Sequence, residues 1–186
     1  RLDEATALVV VSAPAYPHGV VDPVAEVAAA AQEAGVPCHV DACVGGLVLP
    51  FWEAAGGGPV PPWDFRVPGV SSISADLHKY GYAPKGSSLL LFADRGLDRA
   101  RYFALTGWPG YPVVNPTVLG SRSATSLAAA WAVTTALGEQ GYVALTRRLV
   151  TATAAVRACV DGIVGLRVLG DPVGPLVAVG ADEDVP

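Results

Sequence analysis

The chain has no methionine, only three cysteines and three histidines, and little charge: 12 basic and 17 acidic side chains, 16% of 186 residues. Each scarcity excludes something. Cys38, Cys43 and Cys159 are an odd set without paired spacing, so there is no disulfide framework and a reducing, cytoplasmic setting is expected. No Lys/Arg cluster occurs and the net charge is -5, which excludes nucleic acid as an expected partner. No uninterrupted apolar run reaches the roughly 18 residues of a membrane span, and no signal peptide is visible. What remains is a chain that is 52% hydrophobic, core-rich and long enough for one substantial domain or slightly more. An arginine at position 1, immediate entry into an apolar strand and the ending Asp182-Glu183-Asp184-Val185-Pro186 suggest a piece of a longer polypeptide, with sequence missing at both ends.

Periodicity organises the chain. Residues 7–11 form a continuous apolar, β-branched run, the pattern of a strand buried on both faces. Asp22-Pro23 reads as an N-cap followed by proline at the first helical position; Val24, Val27, Ala28 and Ala31 recur at helical spacing, and Gly35 stops the helix. Residues 36–40 are the next strand, so a parallel βαβ unit is predicted, with Asp41 at the carboxyl end of its second strand. Open α/β sheets place ligands there. Residues 44–55 are expected to be a short helix or irregular cover, 56–69 a Gly/Pro loop, 71–75 and 88–92 strands, and 99–116 an ordered loop. Helices are predicted at 126–137 and 143–160, broken at Gly141-Tyr142, followed by short strands at 166–169 and 176–179. Residues 1–140 are thus expected to belong to a large domain and 141–186 to begin a small α+β domain.

One lysine carries the functional reading. It lies in Ser74-Ala75-Asp76-Leu77-His78-Lys79-Tyr80-Gly81, between a strand and the turn Tyr82-Ala83-Pro84-Lys85-Gly86-Ser87-Ser88. An isolated lysine in a turn is usually a solvated surface charge. This one, beside His78 and a Gly/Pro turn, is well placed to be a desolvated amine held neutral for attack, and such an amine can form a Schiff base. Asp41, in Cys38-His39-Val40-Asp41-Ala42-Cys43, could simply cap the following segment. Alternatively it is an anion facing a protonated pyridine nitrogen, and at a buried strand end it would need a cationic partner to stay ionised. Together the two residues suggest pyridoxal 5'-phosphate (PLP), with Lys79 on the aldehyde and Asp41 on the ring nitrogen.

Other features weigh less. On an extended strand His39, Asp41 and Cys43 would share a face, but no second ligand cluster or zinc spacing accompanies them, so no metal is expected. Residues 81–88 are not a Walker loop, because Lys85 precedes Gly86 and a strand follows. Lys85 is still a point charge suited to a phosphate or carboxylate. His18, just beyond the first strand, and Arg122, just before a helix, are either site residues or solvated surface.

These motifs resemble the sphingosine-1-phosphate lyase branch of the group II PLP-dependent decarboxylases, on the type I aminotransferase fold. The resemblance runs through Ser12-Ala13-Pro14, Pro17-His18-Gly19, Asp22-Pro23 and the segment from His39 to Gly46. It is most specific from Ser72 to Ser87, and looser from Trp108 to Arg122. It implies a mostly parallel sheet with helices on both faces. It also implies that Lys79 and Asp41 are catalytic and cofactor-binding, that Cys43 packs the cofactor ring, and that His78 and Ser12 belong to the cofactor site. Lys85, His18 and Arg122 would then be substrate-binding. Ser123-Ala124 depart from the Pro-Gly that follows the branch's Gly-Ser-Arg. The family's upstream phosphate loop and ring-stacking histidine are not in this chain, so cofactor affinity should fall sharply without them.

The activity implied is aldehyde-lyase cleavage of a phosphorylated amino alcohol, giving an aldehyde and phosphoethanolamine, in a homodimer acting on a small-molecule or lipid-phosphate substrate. The turn ending in Lys85 favours it over amino-acid α-decarboxylation, which would use the same Lys79 and Asp41. A third reading, an inactive piece retained as an interaction module, sits poorly with an intact Asp41/Lys79 pair.

Overall fold

The computed structural model describes residues 2–182; Arg1 and the acidic end from Glu183 onward lie outside the described residues. Strand β1 (Val9–Ser12) leads through helix α1 (Val24–Glu33) to β2 (Cys38–Asp41), and β3 (Val70–Asp76) follows. The three pair in parallel, and β4 (Ser88–Phe92) adds antiparallel beside β3, giving the order β1-β2-β3-β4. The α/β architecture with a mostly parallel sheet is therefore as expected.

One face of this sheet builds the core. Val11, Cys38, Val40 and Ile73 bury their side chains against Val24, Ala28 and Ala31 of α1 and against Val48, Leu49 and Trp52. The last three come from a 3-10 turn (Gly45–Leu47) and helix α2 (Leu49–Trp52) that follow β2. Each fully buried branched side chain contributes about 1.5–3 kcal/mol. The opposite face is open: Val10 is 57% exposed and Leu90 53%. The expectation that the first strand is buried on both faces thus fails. A continuous apolar run shows what a strand can bury, not how many layers pack on it.

A register shift gives the open face its polar content. Cys38 pairs with Val70, but His39 pairs with Ser72, so β3 carries an extra residue at that point. A bulge of this kind re-aims every later side chain. Ile73 and Ala75 go to the core, while Ser72, Ser74 and Asp76 join His39 and Asp41 on the other side.

Several boundaries differ from expectation for local reasons. The N-cap of α1 is Pro23, without a side-chain cap, because the Asp22 carboxylate instead accepts from the Ser12 N–H at 2.7 Å. The expected 99–116 loop is partly regular: α3 (Arg95–Ala100) ends in it, and β5 (Phe103–Leu105) pairs with β6 (Val113–Asn115) as a hairpin. Helix α4 (Thr125–Asp161) is interrupted at Gly138, whose φ of 53° is left-handed, not at Gly141-Tyr142. Tyr142 is instead helical and buried, with its ring stacked on Phe51 at 5.1 Å. The chain closes with β7 (Leu166–Val168) and β8 (Val179–Ala181), an antiparallel pair.

Candidate active site

Asp41 and Lys79 come together at the carboxyl ends of β2 and β3, on the open face of the sheet. Asp41 is the last residue of β2, paired in register with Ser12 on one side and Ser74 on the other. Its Oδ1 accepts from the Cys43 N–H at 3.0 Å and from the Ser74 hydroxyl at 3.1 Å. Burial pushes the Asp41 carboxyl up, but these donors, the Cys43 thiol and nearby His39 outweigh it and hold the pKa below the ordinary value. The expected cationic partner is therefore not what keeps Asp41 ionised; fixed hydrogen-bond donors do most of that work.

His39 anchors the same network. Its Nδ1 lies 2.8 Å from the Ser72 hydroxyl and its Nε2 3.3 Å from the Ser74 hydroxyl, which donates to Asp41. Burial lowers its pKa, against the raising effect of Asp41. Both ring nitrogens thus face serines, and among the described residues no group of three or more His, Cys, Asp and Glu could hold a metal.

Lys79 lies three residues beyond the end of β3, in a tight knot. Its N–H donates to the Asp76 carbonyl at 3.2 Å and its own carbonyl accepts from Tyr82 at 3.1 Å. Gly81 admits no side chain, since a Cβ there would stand 2.4 Å from the Leu77 carbonyl oxygen. Tyr82 has φ 59°, a left-handed conformation that a bulky residue adopts only where the surrounding structure enforces it. Leu77 and Ala83 are buried with Ala130 of α4, and the Ala83 N–H donates to the Leu77 carbonyl at 3.0 Å, closing the turn.

The amine itself is not the desolvated, neutral group expected. Lys79 Nζ is 2.8 Å from Asp76 Oδ2, and its side chain is 34% exposed. Burial alone would lower its pKa, but the bond it donates to the Asp76 carboxylate and the neighbouring Cys43 more than offset this, so it is held above the ordinary lysine value. The physical reason is a neighbour that the motif reading passed over: Asp76 sits on the same face as Ser72 and Ser74. Two-residue alternation back from a strand end three residues before Lys79 would have pointed to it.

Cys43 bridges the two halves. Its N–H donates to Asp41 Oδ1 at 3.0 Å, its thiol lies close enough to both Asp41 and Lys79 to feel them, and burial is the main reason that thiol is pushed up. His78 turns its Nδ1–H to the Ser87 carbonyl at 2.9 Å and its Nε2 toward Asp76 Oδ2 at 3.7 Å. Lys79, Asp41, Cys43, His78 and, through its register with Asp41, Ser12 therefore form one cluster.

The three residues expected to bind substrate are not joined to it by any hydrogen bond among the described residues. His18 is exposed in the loop after β1, whose Gly19 carbonyl accepts from the Val173 N–H at 2.8 Å. Lys85 is exposed at the far end of the turn, its carbonyl accepting from the Ser126 hydroxyl at 3.3 Å. Arg122 is exposed and lines a cleft of about 850 Å³ with Ser88, Arg101, Phe103 and Asn115. That cleft reaches the cluster, because the Ser88 hydroxyl donates to Asp76 Oδ1 at 2.6 Å.

The donor set fits a pyridoxal group. An amine able to take an aldehyde and a carboxylate kept anionic stand at adjoining strand ends, with Cys43 near both, and the face they share is open.

The comparisons with known proteins agree in kind. Rat sphingosine-1-phosphate lyase 1 is 42% identical over 178 residues, covering 96% of this chain and 31% of that protein. The structure of a Burkholderia pseudomallei sphingosine-1-phosphate lyase superposes with a TM-score of 0.93 at 43% identity, covering 97% of this chain and 41% of that one. A glutamate decarboxylase from Lactobacillus brevis gives 0.72 at 26% identity, over 94% and 40% of the two chains. The chain thus spans about a third of the length of the curated relatives it matches. The family described as the pyridoxal-dependent decarboxylase conserved domain matches residues 5–178, and the chain belongs to that family.

Proposed function

We propose that the protein carrying this chain is a PLP-dependent carbon–carbon lyase that cleaves a phosphorylated amino alcohol to an aldehyde and phosphoethanolamine. The observation that carries the reading is the placing of Asp41 at the end of β2, held by the Cys43 N–H and the Ser74 hydroxyl, beside Lys79, held by Asp76 at the end of the adjoining β3, on one open sheet face. The 42% identity to a sphingosine-1-phosphate lyase supports the lyase branch over a decarboxylase.

In this reading Lys79 holds the cofactor aldehyde and Asp41 the ring nitrogen. Cys43 packs the ring, and His78 and Ser12 complete the cofactor site. When bound, the cofactor supplies an electron sink for the pair released as the substrate's carbon–carbon bond breaks. Asp41 keeps its charge through the donors around it, so that the ring nitrogen stays protonated. Lys79, once released, is the amine that returns a proton to the substrate. Lys85, Arg122 and His18 are the groups offered to the substrate phosphate, by point charge or by hydrogen bond. Among the described residues no helix is long and apolar enough to cross a membrane. We take the working form to be a cytoplasmic homodimer, with residues 141–186 opening a small second domain.

The test is product analysis. A phosphorylated long-chain amino alcohol should yield aldehyde, with no carbon dioxide from amino acids. Carbon dioxide release without aldehyde would establish the α-decarboxylase reading, to which the likeness to glutamate decarboxylase at 26% identity lends weaker support. Neither product would leave the interaction module.

A further inference from the structure

We propose that Asp76 is the positioning residue that holds Lys79 as an oriented ammonium whenever the lysine is not bonded to the cofactor. This deepens, and rests on, the reading of Lys79 as the cofactor lysine.

The carboxylate is fixed before the lysine reaches it. Asp76 ends β3, and its N–H donates to the Cys43 carbonyl at 3.3 Å, tying the strand end to the loop beyond Asp41. The β3–β4 register sets Asp76 opposite Ser88. Oδ1 accepts from the Ser88 hydroxyl at 2.6 Å, leaving Oδ2 for Lys79 Nζ at 2.8 Å. The Asp76 side chain is only 16% exposed. A charge pair with one partner locked by a neighbouring strand loses little orientational freedom on forming, which a surface pair on two mobile side chains cannot match. Burial raises the Asp76 carboxyl, but Lys79, Ser88 and His78 outweigh it and hold it below the ordinary value.

Among the described residues, the two groups that bear on the lysine favour the same state. Asp76 and Cys43 both raise Lys79, His78 Nε2 stands 3.7 Å from the Asp76 Oδ2 that the lysine holds, and Asp41 lies beyond Cys43, whose N–H donates to it. A neutral lysine attacks; an ammonium does not. Asp76 therefore sets when the free lysine is competent, and keeps its proton at a defined place beside Cys43.

The test needs no cofactor. Lys79 and Lys85 are the only lysines of this chain. The cofactor-free protein is reductively methylated with ¹³C-formaldehyde, and the Lys79 signal, assigned by its absence in Lys79→Arg, is titrated by NMR against exposed Lys85. In the wild type Lys79 should titrate above Lys85. In Asp76→Asn it should fall level with or below Lys85, and its reaction with trinitrobenzenesulfonate near neutral pH should speed up about tenfold, as removal of one close opposite charge implies. Asp76→Glu should restore the wild-type order. A wild-type Lys79 that titrates at or below Lys85 overturns the proposal whether or not Asp76→Asn folds. So does an unmoved Lys79 in a folded Asp76→Asn. Failure of the wild type to make aldehyde would count against the lyase reading alone, since the titration does not depend on turnover.

Discussion

The Tyr142 hydroxyl donates to the Gly81 carbonyl at 3.1 Å, across 61 residues of sequence. Tyr142 lies beyond the Gly138 kink of α4, and Gly81 two residues beyond Lys79. The bond pins the second half of the long helix to the turn that carries the lysine, and the Phe51 ring stacked on Tyr142 at an interplanar angle of 9° adds α2 to the same junction.

Tyr142→Phe should therefore destabilise the fold by about 1–2 kcal/mol, because it strands a carbonyl without its donor while leaving the ring stack intact. Urea unfolding checks this through a lower midpoint at unchanged slope. A larger effect on cofactor binding than on stability would show that the turn, not the helix, depends on the bond.

Lys79→Ala should abolish the covalent pyridoxyl adduct left by borohydride reduction after PLP is added. Peptide mapping of the wild type should place the adduct on Lys79. An adduct retained on Lys85 in the variant would move the cofactor site to the other end of the turn.

Asp41→Asn keeps the shape of the side chain but removes the charge. It should weaken PLP binding by about 1.5–3 kcal/mol, the range of a hydrogen bond to a charged group, or roughly 10- to 150-fold in affinity. Absorbance titration with PLP measures it.

Stability should depend on pH in a defined way. Asp41 and Asp76 have depressed carboxyls, so their contribution is present above the unfolded carboxylate range and is lost as pH falls through their folded values. Lys79 is raised, so its contribution is present below the unfolded lysine value and is lost only as pH rises through its folded value. Urea midpoints measured against pH should fall at the acid end, and Asp76→Ala should flatten that fall. An acid limb unchanged in Asp76→Ala would mean that the carboxyl is not depressed in the folded protein.

Much of the fold was legible along the chain. Apolar runs and the Gly35 stop located β1, α1 and β2 within a few residues, because a buried strand and an amphipathic helix each require their own periodicity. The α3 and β5–β6 elements escaped this reading. They are short and largely exposed, so they impose little apolar pattern on their residues.

By itself the sequence determined the order of β1, α1, β2, β3 and β4 and the presence of the Lys79 and Asp41 motifs. It also named the pyridoxal-dependent family to which the chain belongs. All of these depend on neighbours along the chain, which the sequence states directly. Only the tertiary structure decided which side chains share a face. The bulge in β3 turns Ser74 and Asp76 toward Asp41, and the β3–β4 register brings Ser88 to Asp76. Those pairings decide that Asp41 is kept ionised by hydrogen-bond donors and that Lys79 stands as an ammonium, because charge state depends on distances of a few ångströms between residues remote in sequence.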